Sequence, residues 1–203
     1  MGSPSHPRQR ARLLNAVVYF ASRTSHCGSA KLFRLLYLLD VHHFQATGVV
    51  ATGEPYAAYD FGPAPVDLFD VLPHGAWRQS ELGSALIDHP DQSVDFGQVR
   101  WTARTEKFDD DAFTPLQLEV MANLAHRFAF AHYREVDVSA DNGAWQATWF
   151  HGRGKGSIIP MELTLRSDDP RTAQILELHE EEQARLAGRR RPRGPVGYGA
   201  QRR

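Results

Sequence analysis

Residues 31–44, KLFRLLYLLDVHHF, decide how the rest of the chain must be arranged. Leu32, Leu35, Leu36 and Leu39 recur at i, i+3, i+4 and i+7, and Phe33, Tyr37, Val41 and Phe44 cover the flanks. A helix that is apolar on nearly every side has no face to give to water, so this one is expected at the centre of the core. Upstream, Leu13, Leu14, Val17, Val18, Phe20 and Ala21 form a second amphipathic stretch. Between the two, residues 24–29 hold Gly28 and several hydroxyls, which suit a helix stop and a new N-cap. An antiparallel helical hairpin is the expected result. Downstream, Thr47 and Gly48 close the central helix, and residues 53–65 set Tyr56, Tyr59 and Phe61 among glycines and prolines. This segment reads as a short strand or extended arm with a rigid Gly62-Pro63-Ala64-Pro65 turn, followed by a short apolar helix near 66–72.

Further along, Val94, Phe96, Val99, Trp101 and Ala103 alternate loosely within residues 86–104, as in a small β-hairpin or extended arm. Thr114-Pro115 is a helix start, with threonine as N-cap and proline at N1, and Leu116, Val120, Leu124 and Phe128 are expected down its inner face. Residues 145–150 and 158–165 look like returns to the core, and residues 172–187 like a helix striped by Ile175, Leu176, Leu178 and Leu186. The expected fold is therefore mainly α: a compact helical domain with a central buried helix and a small β-hairpin or extended arm. Residues 1–12 are expected as a flexible N-terminus, 13–187 as the domain and 188–203 as a disordered Arg-rich tail.

The chain has 203 residues, of which 42% are hydrophobic and 23% charged, enough for one globular core with appendages. No run approaches the ~18 apolar residues that cross a bilayer, and the start, MGSPSHPRQRARLL, lacks the apolar centre of a signal peptide. A cytoplasmic protein without membrane contact is expected. Cys27 is the sole cysteine, so neither an internal disulfide nor a paired-cysteine zinc pattern is available. The net charge of −1 conceals an asymmetry. Six of the 23 basic residues lie from Gly188 onward with no acid among them, leaving 17 basic against 24 acidic residues in the body, a balance of −7. Arg189, Arg190, Arg191 and Arg193 could neutralise phosphates of a nucleic acid or an acidic protein patch; the alternative is a solvated tail beside an acidic body.

Lys-Leu-x-x-Leu-Leu-Tyr-x-x-Asp-x-x-His-Phe, then Thr-Gly, then Tyr-x-Ala-x-x-x-Gly-Pro-x-Pro is an ordered pattern. Here Lys31, Leu32, Leu35, Leu36, Tyr37, Asp40, His43, Phe44, Thr47, Gly48, Tyr56, Ala58, Gly62, Pro63 and Pro65 carry it. It resembles the Panacea domain, the family of SocA-like antitoxins of bacterial and phage toxin-antitoxin systems. The resemblance extends more weakly from Leu13 to Phe150, where residues 114–132 are similar to the family's second long helix and Trp145 to its late tryptophan. The chain departs from the family at Ala140, Asp141, Asn142 and Gly143, where a His-Glu pair is common, so no role tied to that histidine carries over. The resemblance implies a compact helical protein, neither an enzyme nor a holder of any cofactor, that binds a toxic protein encoded by an adjacent gene. One family member is an adaptor that hands its toxin to a protease, which makes a cellular protease a second implied partner. It also implies that Lys31, Leu35, Tyr37, Asp40, His43, Gly48, Pro65 and Trp145 are scaffold.

The residues themselves offer few chemical constellations. Asp40 and His43 are i, i+3 neighbours, with His42 beside them, and could ligate a metal if a third ligand came from elsewhere. The alternative is a carboxylate bonded to an imidazole and to backbone donors near the helix end. The run His151-Gly-Arg-Gly-Lys-Gly-Ser157 could cradle a phosphate with its amides, or be a flexible loop; it lacks the spacing of a Walker loop. No serine lies in a nucleophile elbow and Cys27 has no activating context. For a protein partner, Tyr56, Tyr59, Phe61, Gly62 and Pro63 are the candidate patch, since aromatic groups on a stiff arm lose little entropy on binding. Alternatively they lock the arm onto the hairpin. A nucleic-acid-binding regulator or phosphate-recognising enzyme, using the glycine loop and basic tail, is the competing functional class.

Overall fold

The computed structural model describes residues 7–69, 71–72, 76–90, 99–138, 143–152 and 154–189. The chain order is α1 (Pro7–Arg23), α2 (Ser29–Thr47), β1 (Tyr56–Tyr59), β2 (Gly62–Pro65), α3 (Val66–Phe69), β3 (Leu86–Pro90), β4 (Val99–Ala103), α4 (Pro115–Arg127), α5 (Ala144–Gln146) and α6 (Thr172–Arg189). Several 3₁₀ turns connect them, and a π-helical turn, Ala147–His151, continues directly from α5. The architecture is mainly α. Two small antiparallel sheets, β1-β2 and β3-β4, are the sheets found among the described residues.

The expected central helix is α2. Thirteen of its nineteen residues are buried, from Ala30 to Phe44, and it meets α1, α4, α6 and β2. Gly28 is its N-cap, without a side-chain cap bond. Gly48 ends it in the left-handed region at φ 74°, returning its N–H to Phe44 O. A Cβ at Gly48 would stand 2.6 Å from Ile175 O of α6, so glycine is required both by backbone and by the close approach of a second helix.

α1 begins earlier than expected. Residues 7–12, read as part of a flexible leader, are helical: proline suits a first helical position, and Arg10 and Arg12 then find Glu81 and the Ala51 carbonyl. The lack of apolar residues there marks a solvated first turn rather than a disordered one. α4 starts as expected, with the Thr114–Gln117 capping box and Pro115 at N1. Its inner face is rotated by one position: Gln117, Met121, Leu124, Ala125 and Phe128 are buried, whereas Leu116 is exposed and Val120 only partly covered. Gln117 goes inside because its side chain is already committed to the cap. The helix also stops at Arg127 instead of running to His132. Phe128 O, the acceptor that residue 132 would use, takes the Lys31 ammonium at 2.8 Å, while His132 N donates to Glu135.

The aromatic-proline segment is a true hairpin. Tyr56 pairs with Pro65, Ala57 with Ala64, Ala58 with Pro63 and Tyr59 with Gly62. The two prolines stand opposite Tyr56 and Ala58, whose backbone groups turn away to residues 156–159, so the missing N–H groups cost this ladder nothing. The bonds Ala58 N to Ser157 O, Gly156 N to Ala58 O and Ile159 N to Tyr56 O add a third short edge to β1. The second expected hairpin is β3-β4, and Trp101 of β4 is buried, its backbone N–H donating to Cys27 O at 2.8 Å.

Two returns to the core are only partial. Ile159 and Thr164 are buried, but Phe150 is 66% and Ile158 55% exposed. α6 runs to Arg189, past the expected boundary at 187, and buries Ile175 with Leu176 and Leu186 half-covered. Residues 190–203 and Ala140, Asp141 and Asn142 lie outside the described residues. Among those described, no helix is long and apolar enough to cross a membrane. Gly48→Ala is expected to cost about 1–2 kcal/mol from backbone strain alone, and more from the α6 contact; urea unfolding followed by circular dichroism measures it. An unchanged midpoint would show that neither constraint acts.

Candidate protein-binding surface

α2 distributes its charged side chains to three different segments. The fully buried Lys31 donates to Ser25 O at 2.7 Å and Phe128 O at 2.8 Å, two carbonyls left open where α1 and α4 end. Arg34 donates to Phe61 O at 2.6 Å and to Tyr133 O and Val136 O at 2.5 and 3.1 Å. Asp40, also fully buried, accepts from Thr52 N at 2.7 Å, from the Thr52 hydroxyl and from Tyr56 Oη at 2.7 Å. Burial raises the Asp40 carboxyl to about 6, against the lowering effect of those donors.

The Asp40–His43 pairing expected from their spacing does not form. His43 Nδ1 lies 2.7 Å from Val49 O, so the ring donates to that carbonyl and caps the turn after α2; burial lowers its pKa. No group of three or more His, Cys, Asp or Glu side chains among the described residues could hold a metal. Cys27 is fully buried, its thiol pushed up to about 11 by burial, which makes it an inert core group. In the glycine run, Gly156 N donates to Ala58 O of β1 and Ser157 N to Gly154 O within the run, so two amides proposed for a phosphate cradle are already committed. That segment is a pinned turn, with Gly154 and Gly156 at φ 73° and 80°; Arg153 lies outside the described residues.

The five-residue patch divides. Tyr56, Gly62 and Pro63 are buried; Tyr56 belongs to the Asp40 cluster and packs edge-on against Tyr37 at 5.2 Å. Gly62 has φ 125° and would bring a Cβ to 3.2 Å of Arg34 Nε. These three residues hold the arm in place. Tyr59 and Phe61 are partly exposed and stack with each other at 5.4 Å, and both stack on Phe69 of α3 at 4.4 and 6.1 Å. The near-parallel rings form one block on top of the hairpin. Trp145 joins it by donating Nε1–H to Tyr59 O at 2.9 Å, and Phe150 meets Trp145 edge-on at 6.5 Å. The result is a block of three stacked rings, Phe69, Phe61 and Tyr59, beside a Trp145–Phe150 pair tied to it through the Tyr59 carbonyl, with Phe150 mostly in water.

Sequence reasoning reached Tyr59 and Phe61 as a patch and Trp145 only as scaffold, and missed Phe69, Phe150 and the role of Arg34. A charged residue inside KLFRLLYLL was the available signal for Arg34, since an arginine on a buried helix must find acceptors. Phe150 sits on the π-helical turn Ala147–His151, and its exposure had no signal in the pattern. Compared with protein families, with curated proteins and with solved structures, the chain finds no match.

Beneath this surface, Glu54 is buried and accepts from Asp67 N at 2.6 Å, where α3 begins. Burial first, then the nearby Asp67 and Asp40, raise its carboxyl to about 8. The folded chain therefore holds a proton that the unfolded chain releases near 4.5. Stability from this group is complete below that value and is lost as pH rises toward 8. Glu54→Gln keeps an acceptor for Asp67 N without the charge. It is expected to raise stability at pH 8.5 by at least about 1 kcal/mol relative to wild type and to leave it nearly unchanged at pH 4.5. Denaturant unfolding at both pH values tests this; equal effects at both would contradict it.

Proposed function

We propose that this chain is an antitoxin-like binding protein that neutralises a toxic protein encoded by an adjacent gene through direct contact. The observation that supports it is the group of aromatic rings around Tyr59, Phe61 and Phe150. Large aromatic side chains left partly exposed on a rigid support are the usual anchors of a protein interface, because they bury area on binding while losing few rotamers. A lone exposed phenylalanine would be unremarkable; three stacked rings beside a Trp145–Phe150 pair make a surface. The pattern of scaffold residues agrees with this reading. Lys31, Asp40 and His43 are spent on groups within the fold, Gly48 ends the central helix, and Tyr37 is buried against Tyr56.

The neighbouring gene product, induced in bacteria with and without this chain, tests the reading through growth and co-purification. Rescue with a stable complex is expected. Tyr59→Ala with Phe61→Ala, or Phe150→Ala, should weaken the complex by about 2 kcal/mol, roughly thirtyfold in Kd, with the helical circular dichroism spectrum kept. Tyr56→Ala should instead lower the unfolding midpoint, since it strips a partner from buried Asp40. Full rescue and unchanged affinity in the aromatic variants would exclude this surface; a harmless neighbour would remove the antitoxin reading.

A further inference from the structure

The sheet built on β1 has two outer edges, and they are finished differently. Tyr56 and Ala58 bond to residues 156–159, which leaves Ala57 and Tyr59 to pair with Ala64 and Gly62 of β2. The outward positions of β2 are then Pro63 and Pro65, which have no N–H to offer a further strand. On the other side, Ala57 lies opposite Ile158 as an isolated bridge. The bonds flanking that bridge, Ala58 N to Ser157 O and Ile159 N to Tyr56 O, belong to its neighbours. Ala57–Ile158 is therefore a non-hydrogen-bonded position, at which both main-chain groups of Ile158 point away from β1. Neither makes a bond among the described residues. Apolar side chains accompany these open groups: Ile158 is 55% exposed, and Leu163, on the 3₁₀ turn that follows, 48%.

The open edge is one residue long. Gly156 N is turned inward to Ala58 O, and Pro160, next along the edge, has no N–H. An incoming strand finds one donor and one acceptor there, both from Ile158. That is one side of a hydrogen-bonded antiparallel pair, and a two-fold axis through it lets an identical Ile158 supply the reciprocal donor and acceptor. We propose that this chain forms a two-fold dimer through Ile158, the 156–159 edges of two copies pairing antiparallel so that their hairpins join in one sheet. The flanking charges favour a second copy as the occupant. Lys155 precedes the edge, exposed and without a bond among the described residues, and Glu162, 46% exposed, follows it. Pairing centred on residue 158 runs one chain past the other in reverse, so Lys155 of each copy approaches residues 161–162 of the other and the Lys–Glu contact forms twice. The two Ile158 side chains stand directly opposite and pack on one face. Because Gly156 and Pro160 stop the edge at both ends, pairing closes at two copies instead of growing. The dimer needs no toxin to form.

Analytical ultracentrifugation of the full chain from about 1 to 200 µM tests this, together with hydrogen exchange at the Ile158 amide. A reversible monomer–dimer equilibrium is expected, with that amide more protected at the high concentration. Ile158→Pro removes the outward N–H and leaves the inward bonds of Ser157 and Ile159; it should weaken the dimer at least about tenfold and keep the helical circular dichroism spectrum. Lys155→Glu should weaken the dimer as well, and Lys155→Glu combined with Glu162→Lys should restore it, which a folding defect from either change would not do. A chain that stays monomeric at the highest concentration would overturn the proposal, as would a dimer indifferent to Ile158→Pro.

Discussion

A helix buried on almost every side leaves its charged residues without water, and they must find partners within the protein or not be buried at all. In α2 that constraint falls on Lys31, Arg34 and Asp40. None of the three pairs with an opposite charge in the bonds described. Each takes backbone or hydroxyl groups from a different irregular segment: Lys31 the ends of α1 and α4, Arg34 the β1-β2 turn and residues 133–136, Asp40 the 51–56 connection. Leaving such carbonyls or a buried carboxylate unpaired costs several kcal/mol, so the side chains and the segments stabilise one another. The loops of this fold are placed by the polar residues of its most apolar helix.

The aromatic surface follows from this arrangement. Phe61 O is held by Arg34, Tyr56 by Asp40, and Tyr59 O by the Trp145 indole, which leaves the Tyr59 and Phe61 rings stacked over Phe69, partly exposed at the margin of the core. A hairpin with a two-residue turn would be marginal alone. Here it is anchored at two backbone carbonyls and one tyrosine hydroxyl and gains the 156–159 edge, so the rings sit on a stiff support. The glycine run, which in the sequence suggests a phosphate site, is spent in building that support.

How legible this was depends on which force decides each element. The central helix, the hairpin before it, the Thr114 cap and both β-hairpins were readable because apolar period, cap chemistry and Gly/Pro placement act locally. The errors lie where a distant group intervenes. Lys31 ends α4 early from 97 positions away, Gln117's cap bond turns that helix by one residue, and Arg10 and Arg12 reach across to order the first turn of α1. The candidate site was legible in part for the same reason. Tyr59 and Phe61 stood out as aromatic residues beside a turn and Trp145 only as a scaffold residue of the resemblance, but the division of the patch into buried Tyr56 and partly exposed Tyr59 is set by Asp40, sixteen positions before Tyr56. Burial of a polar partner is the one fact that periodicity does not carry.

The account rests on Arg34 as the tie between central helix and aromatic arm, and hydrogen exchange in Arg34→Met measures that tie directly. Methionine keeps the stem's packing and removes all three donated bonds. Amides of residues 56–65 and 133–138 are predicted to lose at least about tenfold in protection while α1 and α4 keep theirs, as expected for loss of two or three bonds to a charged donor. Unchanged protection in the arm, or a uniform loss across all helices, would contradict the claim that this arginine positions the surface.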